Sequence, residues 1–354
     1  MRRFAKCARR PSLGPALGFA LGLALALPGI AGPASAAQAR PTERATYASR
    51  PEARAFVRDM VERHGFDEAE LSAQIAGATR QPEILKAIRP PASPRVRSWR
   101  NYRPIFVNER HVADGVRFAA EHAAALARAE ADFGVPREII VAIIGVETYY
   151  GRNMGKWRVI DALATLAFDY PPRAEFFRAE LEAFFLFSRE ARLDPHEVRG
   201  SYAGAIGIPQ FMPSSYRRWA VDFDGDGVAL LRSSPTDAIG SVANFLKSHG
   251  WERGEPIVYA ADMGDANPAP LVAQGIKPIL TLAEFAALGI AVRAEPPPRP
   301  GALGALIDLI TPDRPTEYRI GLNNFYVITR YNRSSFYAAA VNDLAEALRP
   351  GIRR

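Results

Sequence analysis

The sequence contains a single cysteine among its 354 residues, and this residue, Cys7, lies close to the amino terminus. An internal disulfide therefore cannot form, and a zinc site built from several cysteines is excluded. The five histidines show no HExxH spacing, and neither GxxxxGKS nor GxxxxGKT occurs as a phosphate loop. Hydrophobic residues make up 48% and charged residues 23% of the chain, which argues against a disordered or many-pass membrane protein.

Acidic residues are absent from the first 36 residues, which hold five basic ones. These charges precede the uncharged apolar run Ala16–Leu27 and the small residues Ala34 and Ala36, which suit a cleavage site. This order is typical of a secretory signal peptide, so we expect residues 1–36 to be removed on export. The alternative is a retained membrane anchor, since the uncharged stretch is long enough to span a bilayer.

The net charge of +7 belongs mostly to this leader, because its basic residues account for five of the seven charges. A nucleic-acid surface needs clustered Lys and Arg, and little positive excess remains to build one. Nucleic acid is therefore not expected as a partner, and no membrane span is expected after signal cleavage.

The remaining chain predicts helices first and some strand later, and its length suits two or three domains. Val112–Phe133 is predicted as one long helix, and 316–331 as β-structure because it is rich in branched and aromatic residues. The predicted regions are the leader 1–36, a helical region 37–110, a catalytic core 111–253, a small mixed domain with a Pro-rich tether 254–315, and a strand–helix segment 316–354.

The first chemical signal is Glu147, at the end of the apolar run EIIVAIIGVE of residues 138–147. Helical spacing places Glu147 on the same face as Ile140, Ile143 and Ile144. Such surroundings disfavour the charged carboxylate and raise its pKa, which suits a general acid for a glycosidic bond. The alternative is a helix-end glutamate whose carboxylate reaches solvent.

The second signal is SYAGAIGIPQFMPSS, residues 201–215, in which glycines allow close backbone approach and Gln210 offers a hydrogen-bond donor and an acceptor. Ser214 and Ser215 are predicted to cap a following helix. Taken alone, the stretch is nearly as consistent with a structural loop as with a ligand site.

The third signal is DFDGDG, residues 222–227, which matches the first half of an EF-hand calcium loop. The ligand at position 12 of such a loop should be Glu, but Ser233 stands there, and Asp237 can close the cage only if the loop is longer than usual. The alternative is a solvated acidic turn.

Together these segments resemble the lytic murein transglycosylase B family. The likeness rests on VETYYG around Glu147, on the 201–215 stretch and on the DFDGDG loop, in this order and spacing. It extends to residues 238–251 and 324–337, and covers roughly residues 50–348. The resemblance implies an α+β, mainly α fold: a lysozyme-like catalytic core with an added helical domain and a small β-containing domain.

The resemblance also implies cleavage of the β-1,4 bond between N-acetylmuramic acid and N-acetylglucosamine in peptidoglycan without water. One glutamate, matched here by Glu147, acts first as general acid and then as general base. The C6 hydroxyl of the muramoyl residue attacks C1, and a 1,6-anhydro end results. The partners are peptidoglycan glycan strands, and we expect a periplasmic monomer without an organic cofactor.

Motif matching carries over two further sets of residues. Those that would bind or orient sugar are Tyr102, Ser201, Gln210, Tyr331, Asn332 and Tyr337. Those that would hold a structural Ca²⁺ are Asp222, Asp224, Asp226, Val228 through its carbonyl, and Asp237. Phe245 departs from the tyrosine expected in the helix after the loop, which puts one polar groove contact in doubt.

Two other functions remain open from the sequence. A hydrolytic muramidase would use the same cleft and let water attack. A non-catalytic peptidoglycan-binding protein would keep the groove, with Glu147 serving only structure.

Overall fold

The computed structural model describes residues 47–89, 97–293 and 295–353. The predicted leader, with Cys7, lies outside the described residues. The described part is mainly helical with a small antiparallel sheet, which confirms the α+β, mainly α class. Among the helices in these ranges, none combines the length and the apolar character that crossing a bilayer requires.

Helices make up most of the described chain. They are α1 (Pro51–His64), α2 (Glu68–Ala76), α3 (Pro82–Ile88), α4 (Trp99–Phe106), α5 (Glu109–Glu121), α6 (Ala123–Phe133), α7 (Arg137–Thr148), α8 (Val159–Asp169), α9 (Ala174–Glu190), α10 (Pro213–Trp219), α11 (Pro235–Ser248), α12 (Ala269–Val272), α13 (Leu282–Ala287), α14 (Asn323–Tyr331) and α15 (Ser335–Ile352). Two short 3₁₀ turns, Tyr47–Ser49 and Pro171–Arg173, complete the set.

Helix α7 lies at the centre of the helical body, packed against α5, α6, α11 and α15. Its residues 139–146 are all buried, because a helix that is apolar on every side must be covered on every side. Glu138, at its start, is 1% exposed and is held by Arg349 and Arg353 at 3.1 and 3.0 Å. These ion pairs fix α7 to the end of α15.

The strands form two sheets. They are β1 (Trp157–Arg158), β2 (Arg199–Gly200), β3 (Val258–Asp262), β4 (Leu280–Thr281), β5 (Ala291–Val292), β6 (Leu303–Leu309) and β7 (Glu317–Gly321). Strands β1 and β2 form an antiparallel pair beside the 201–215 loop. The others form one antiparallel sheet in the order β4-β6-β7-β3-β5, in which Ile307 of β6 is paired with Arg319 of β7.

The larger sheet has two covered faces. Alternate residues of a strand point to opposite faces, and Ala305, Ile307 and Leu309 of β6 belong to the main hydrophobic core. Leu306 belongs instead to a separate small core with Phe285. The sheet therefore packs against α14 and α15 with one face and carries its own small core on the other.

Three local predictions were wrong. The β-structure predicted for 316–331 is confined to β7, because residues 323–331 form α14 and bury Phe325 and Ile328, three positions apart, on one helical face. The predicted helix Val112–Phe133 is divided at His122, whose φ and ψ of −117° and 27° are not helical. Helix α10 begins at Pro213, before the predicted serine caps, since proline suits the first helical turn.

Candidate active site and metal loop

Glu147 lies in the last turn of α7, and its side chain is partly exposed. The residues of α7 that precede it, 138–146, are all buried. The hydroxyl of Tyr337 donates a hydrogen bond of 2.6 Å to its Oε1. Burial raises the pKa of Glu147 to about 7, and the Tyr337 hydrogen bond opposes this shift. No charged group within the described residues contributes to the shift, so no second carboxylate acts on Glu147 electrostatically.

Tyr337 is 2% exposed, in the first turn of α15. Ser334 caps this helix, with its side chain accepting a 3.4 Å hydrogen bond from the backbone amide of Tyr337. Burial and the neighbouring Glu147 both raise the pKa of the Tyr337 hydroxyl, which stays protonated and donates. The start of α15 therefore fixes one oxygen of Glu147.

Two more predicted tyrosines lie near this carboxyl group. Tyr102 on α4 packs against Phe336, with ring centroids 5.7 Å apart, and burial together with the charge of Glu147 raises its pKa to about 12. Tyr331 at the end of α14 donates a 2.6 Å hydrogen bond to the carbonyl of Pro209, and its pKa is likewise raised by burial and by Glu147. Residues far apart in sequence thus surround Glu147.

Helix α4 is held in place by the sheet and by α15. The amide of Trp99 donates a 2.7 Å hydrogen bond to the carbonyl of Ile310, just after β6. Arg103 donates to Asp343 of α15 at 2.6 Å, and Arg319 of β7 donates to the same carboxylate at 2.5 Å. The small sheet therefore takes part in placing Tyr102.

The 201–215 stretch folds over the end of α7. Thr148, next to Glu147, donates a 2.8 Å hydrogen bond to the carbonyl of Ile208. A Cβ on Gly207, whose φ is 75°, would meet the carbonyl oxygen of Leu231 at 2.5 Å. Glycine at position 207 therefore allows the backbone of Leu231 to pass close by, and the close neighbour is the protein itself and not a ligand.

Ser201 and Gln210 lie in this stretch, and both are partly buried. The Ser201 hydroxyl accepts a 3.0 Å hydrogen bond from the amide of Ala205. Gln210 has a left-handed backbone, with φ 52°, and its amide group donates to the carbonyls of Met154 and Gly207 at 3.3 and 2.9 Å. Its side-chain oxygen accepts no hydrogen bond from any described residue and can receive one from a ligand.

Asn332 ends α14 directly after Tyr331. Its Oδ1 is buried and has no hydrogen-bond partner among the described residues. An unpaired buried acceptor costs about 1–3 kcal/mol. Phe245, the departure noted in the sequence, stacks at 4.0 Å on His249 and lies 4.7 Å from the Tyr331 ring.

The acidic loop places three of its predicted ligands together. Side-chain oxygens of Asp222, Asp224 and Asp237 lie within 4.8 Å of one another. Asp237 is fully buried, and its carboxylate accepts backbone hydrogen bonds from Phe223, Asp224 and Leu230. These hydrogen bonds join the loop to the start of α11. The amide of Phe223 and the carboxylate of Asp237 are 2.7 Å apart, although 14 positions separate the two residues in the sequence.

The remaining predicted ligands lie outside this group. Asp226 accepts a 3.0 Å hydrogen bond from the amide of Val228, and both residues are exposed. Oxygen atoms are the ligands that Ca²⁺ prefers, and two carboxylates of the loop with a third from α11 suit it in charge and chemistry. The described residues therefore fit the predicted cation.

Residues 48–346 match the family described as Transglycosylase SLT domain. The chain is 43% identical over 313 residues to membrane-bound lytic murein transglycosylase B of Escherichia coli, covering 85% of this chain and 84% of that protein.

Two solved structures extend the likeness to the fold. Soluble lytic transglycosylase SltB1 from Pseudomonas aeruginosa is 48% identical, with a TM-score of 0.80 over 86% of this chain and 100% of that one. Lytic transglycosylase Slt35 of Escherichia coli, solved in complex with calcium, is 42% identical, with a TM-score of 0.77 over 87% and 96% of the two chains. These similarities confirm the predicted lysozyme-like architecture.

Proposed function

The chain belongs to the transglycosylase SLT domain family and is a lytic murein transglycosylase. We propose that Glu147 is the single acid–base residue of this enzyme. The observation that carries this proposal is a carboxyl group whose pKa burial raises to about 7, held by Tyr337 and still open to one side. A carboxyl group with such a pKa carries its proton at neutral pH for a large share of the time and can also accept one.

Glu147 first donates its proton to the oxygen of the bond between N-acetylmuramic acid and N-acetylglucosamine. The C1–O bond breaks, and the N-acetylglucosamine side leaves with a hydroxyl group. The Glu147 carboxylate then takes the proton from the C6 hydroxyl of the muramoyl residue as that oxygen bonds to C1. The glutamate ends the cycle protonated, and one ring-closed 1,6-anhydro end has formed without consuming water.

The absence of a second acting carboxylate supports this route. A retaining hydrolase places its two carboxyl groups about 5–5.5 Å apart, and a charged neighbour at that distance would itself raise the pKa of the acid. Burial alone raises the pKa of Glu147, with no charged group contributing among the described residues. The intramolecular hydroxyl needs no such partner.

The groove residues are proposed to bind sugar. Gln210 offers an unused amide oxygen suited to a hydroxyl or acetamido donor. Asn332 has an unpaired oxygen that is buried, and its side chain would have to expose this oxygen to bind sugar. Tyr102 and Tyr331 offer aromatic faces near Glu147, and Tyr337 fixes its carboxyl group. Ser201 lies in the same stretch as Gln210 and contributes its hydroxyl.

We expect kcat/KM to be highest below pH 7 and to fall about tenfold per pH unit above it, because donation requires protonated Glu147, whose pKa is about 7. Tyr337→Phe removes the hydrogen bond that lowers this pKa, so the descending limb should move to higher pH. The check is a pH–rate profile on soluble glycan strands for both proteins. If kcat/KM falls at the same pH in Tyr337→Phe as in the wild type, the hydrogen bond does not have the role given to it.

We also propose that Ca²⁺ binds the loop of Asp222, Asp224 and Asp237, with Asp226 and the carbonyl of Val228 as further ligands. The proximity of three carboxylates and the calcium complex of Slt35 support this. Bound Ca²⁺ would offset the repulsion between these carboxylates, and its contribution would be structural. It would hold the loop against the start of α11.

Calcium is expected to raise the melting temperature, because binding the folded state alone adds ~2.7 kcal/mol at about one hundred times the dissociation constant. Asp224→Ala should abolish this rise, measured as the difference between millimolar calcium and chelator. Asp262→Ala is the matched control, since this exposed aspartate caps a glycine turn outside the acidic group. A melting temperature indifferent to calcium in metal-free protein would contradict the site.

The relative from Escherichia coli is named as membrane-bound. For this chain we propose export by the 1–36 leader to a periplasmic, monomeric form that acts on peptidoglycan strands. The order of basic residues, apolar run and small residues in the leader supports export.

A further inference from the structure

The turn that follows Glu147 has an unusual backbone. Tyr149 and Tyr150 both have left-handed conformations, with φ of 51° and 59°. Side chains other than glycine cost about 1–3 kcal/mol each in such sparsely populated regions, and they persist only where the surroundings hold them. The helix end holds part of this turn, since the amides of Tyr149 and Tyr150 bond to the carbonyls of Gly145 and Ile144. A second restraint comes from elsewhere in the protein.

That restraint is Asp114 of α5, which is 8% exposed. The hydroxyl of Tyr149 donates a hydrogen bond to its Oδ2, and Arg152 donates to the same oxygen at 2.5 Å. Arg117, on α5 itself, donates to the other oxygen, Oδ1. One buried carboxylate thus receives two donors from the turn 149–152 and binds that turn to α5.

Tyr150 strengthens the same attachment. Its hydroxyl donates a 2.8 Å hydrogen bond to the carbonyl of His111. Its side chain occupies the space beside Gly145 of α7 and Gly115 of α5, where an added Cβ would meet its ring at 2.8 Å and its hydroxyl oxygen at 2.4 Å. The turn therefore packs tightly between the helix that carries Glu147 and the helix that carries Asp114.

Asp114 does not act on Glu147 by charge. The pKa of Glu147 is set by burial and by Tyr337, with no contribution from a carboxylate. The contacts of Asp114 reach the chemistry through Tyr149 and Arg152 and the backbone of their turn, and Tyr149 is only two residues beyond Glu147.

We propose that Asp114 is a positioning residue of this enzyme: by holding the turn 149–152 on α5, it sets the direction and the burial of the Glu147 carboxyl group. The proposal rests on the acid–base role of Glu147. Asp114, Tyr149 and Arg152 are not among the residues predicted to bind sugar or metal, and the proposal gives their contact an effect on catalysis.

The test uses Asp114→Asn and Tyr149→Phe in the full protein. Both are expected to lower kcat about 10–100-fold, because small displacements of a reacting group have costs of this order, while KM changes less than about threefold. The midpoint of the pH–rate profile should move down towards the value of an ordinary glutamate as Glu147 becomes more solvated. The double variant should be little worse than the worse single one, since both act through one contact.

Arg117→Ala is the matched control. Its side chain is 58% exposed and binds the oxygen of Asp114 that does not face the turn, so wild-type kcat and midpoint are expected. The proposal is overturned if folded Tyr149→Phe and Asp114→Asn keep wild-type kcat and pH midpoint, or if activity falls only with the folded fraction. Failure of the Glu147 assignment would appear separately, as turnover in Glu147→Gln.

Discussion

Replacing Glu147 by glutamine is expected to abolish glycan cleavage while the fold and most of the glycan affinity remain. Glutamine has nearly the same size and can still accept the hydrogen bond from Tyr337, which is 2.6 Å long in the wild type. It cannot donate and recover a proton, and proton transfer by a positioned group supplies roughly 10²–10⁴-fold in rate. Both steps of the reaction use this one carboxyl group, which gives up one proton and then takes another, so the loss should be at the upper end.

The same substitution is expected to stabilise the protein at alkaline pH. The pKa of Glu147 is raised from 4.5 to about 7, so between these values the folded state holds a proton that the unfolded state has lost. Wild-type stability therefore falls as pH rises through this window, and the loss is complete above about 7. Glutamine removes the loss, which is roughly 1–3 kcal/mol given one pKa unit per 1.36 kcal/mol and some solvent exposure.

Glu138→Gln is the matched control, because it makes the same chemical change at the other end of α7. Glu138 is 1% exposed and paired with Arg349 and Arg353, so this variant should lose stability and keep its turnover per folded molecule. The measurements are turnover on purified peptidoglycan and melting temperature at pH 6 and 8. A correctly folded Glu147→Gln protein with near-wild-type turnover would contradict the assignment.

Local sequence was sufficient for the features that depend on one segment. The apolar run 138–147 correctly predicted a helix and a raised pKa for Glu147, because both follow from the residues of that helix and their burial. The DFDGDG spacing brought Asp222 and Asp224 together, as a turn of that length must. These inferences required no knowledge of where other segments pack.

Features that join distant segments could not be derived from local pattern. Tyr337 meets Glu147 across 190 positions, and only the family resemblance singled it out. Asp114 had no local signal, because an aspartate in an amphipathic helix is ordinarily a solvated residue and only the fold buries it against Tyr149. The helix 323–331 was mistaken for strand because packing against the sheet and α15 outweighs the β-propensity of its residues.

The product is expected to be muropeptide ending in 1,6-anhydro-N-acetylmuramic acid, lighter than the hydrolysis product by one water. The C6 hydroxyl belongs to the sugar whose C1 is attacked, so its effective concentration far exceeds that of a water molecule, reaching about 10⁵–10⁸ M in well-oriented systems. Water would need its own base on the opposite side. Among the described residues, no carboxylate contributes to the pKa shift of Glu147, so the shift gives no sign of such a base.

Digestion of purified peptidoglycan in heavy-oxygen water separates the two outcomes by mass. Ring closure takes its oxygen from the sugar, so anhydro ends should carry no label, whereas hydrolysis leaves a labelled reducing end. A hydrolytic muramidase digesting the same substrate is the positive control for labelling, and Glu147→Gln is the control for spontaneous cleavage. Mainly labelled ends would mean that water reaches C1 before the C6 hydroxyl does. The groove around Glu147 would then have to hold an ordered water molecule, and the single-residue mechanism would be wrong.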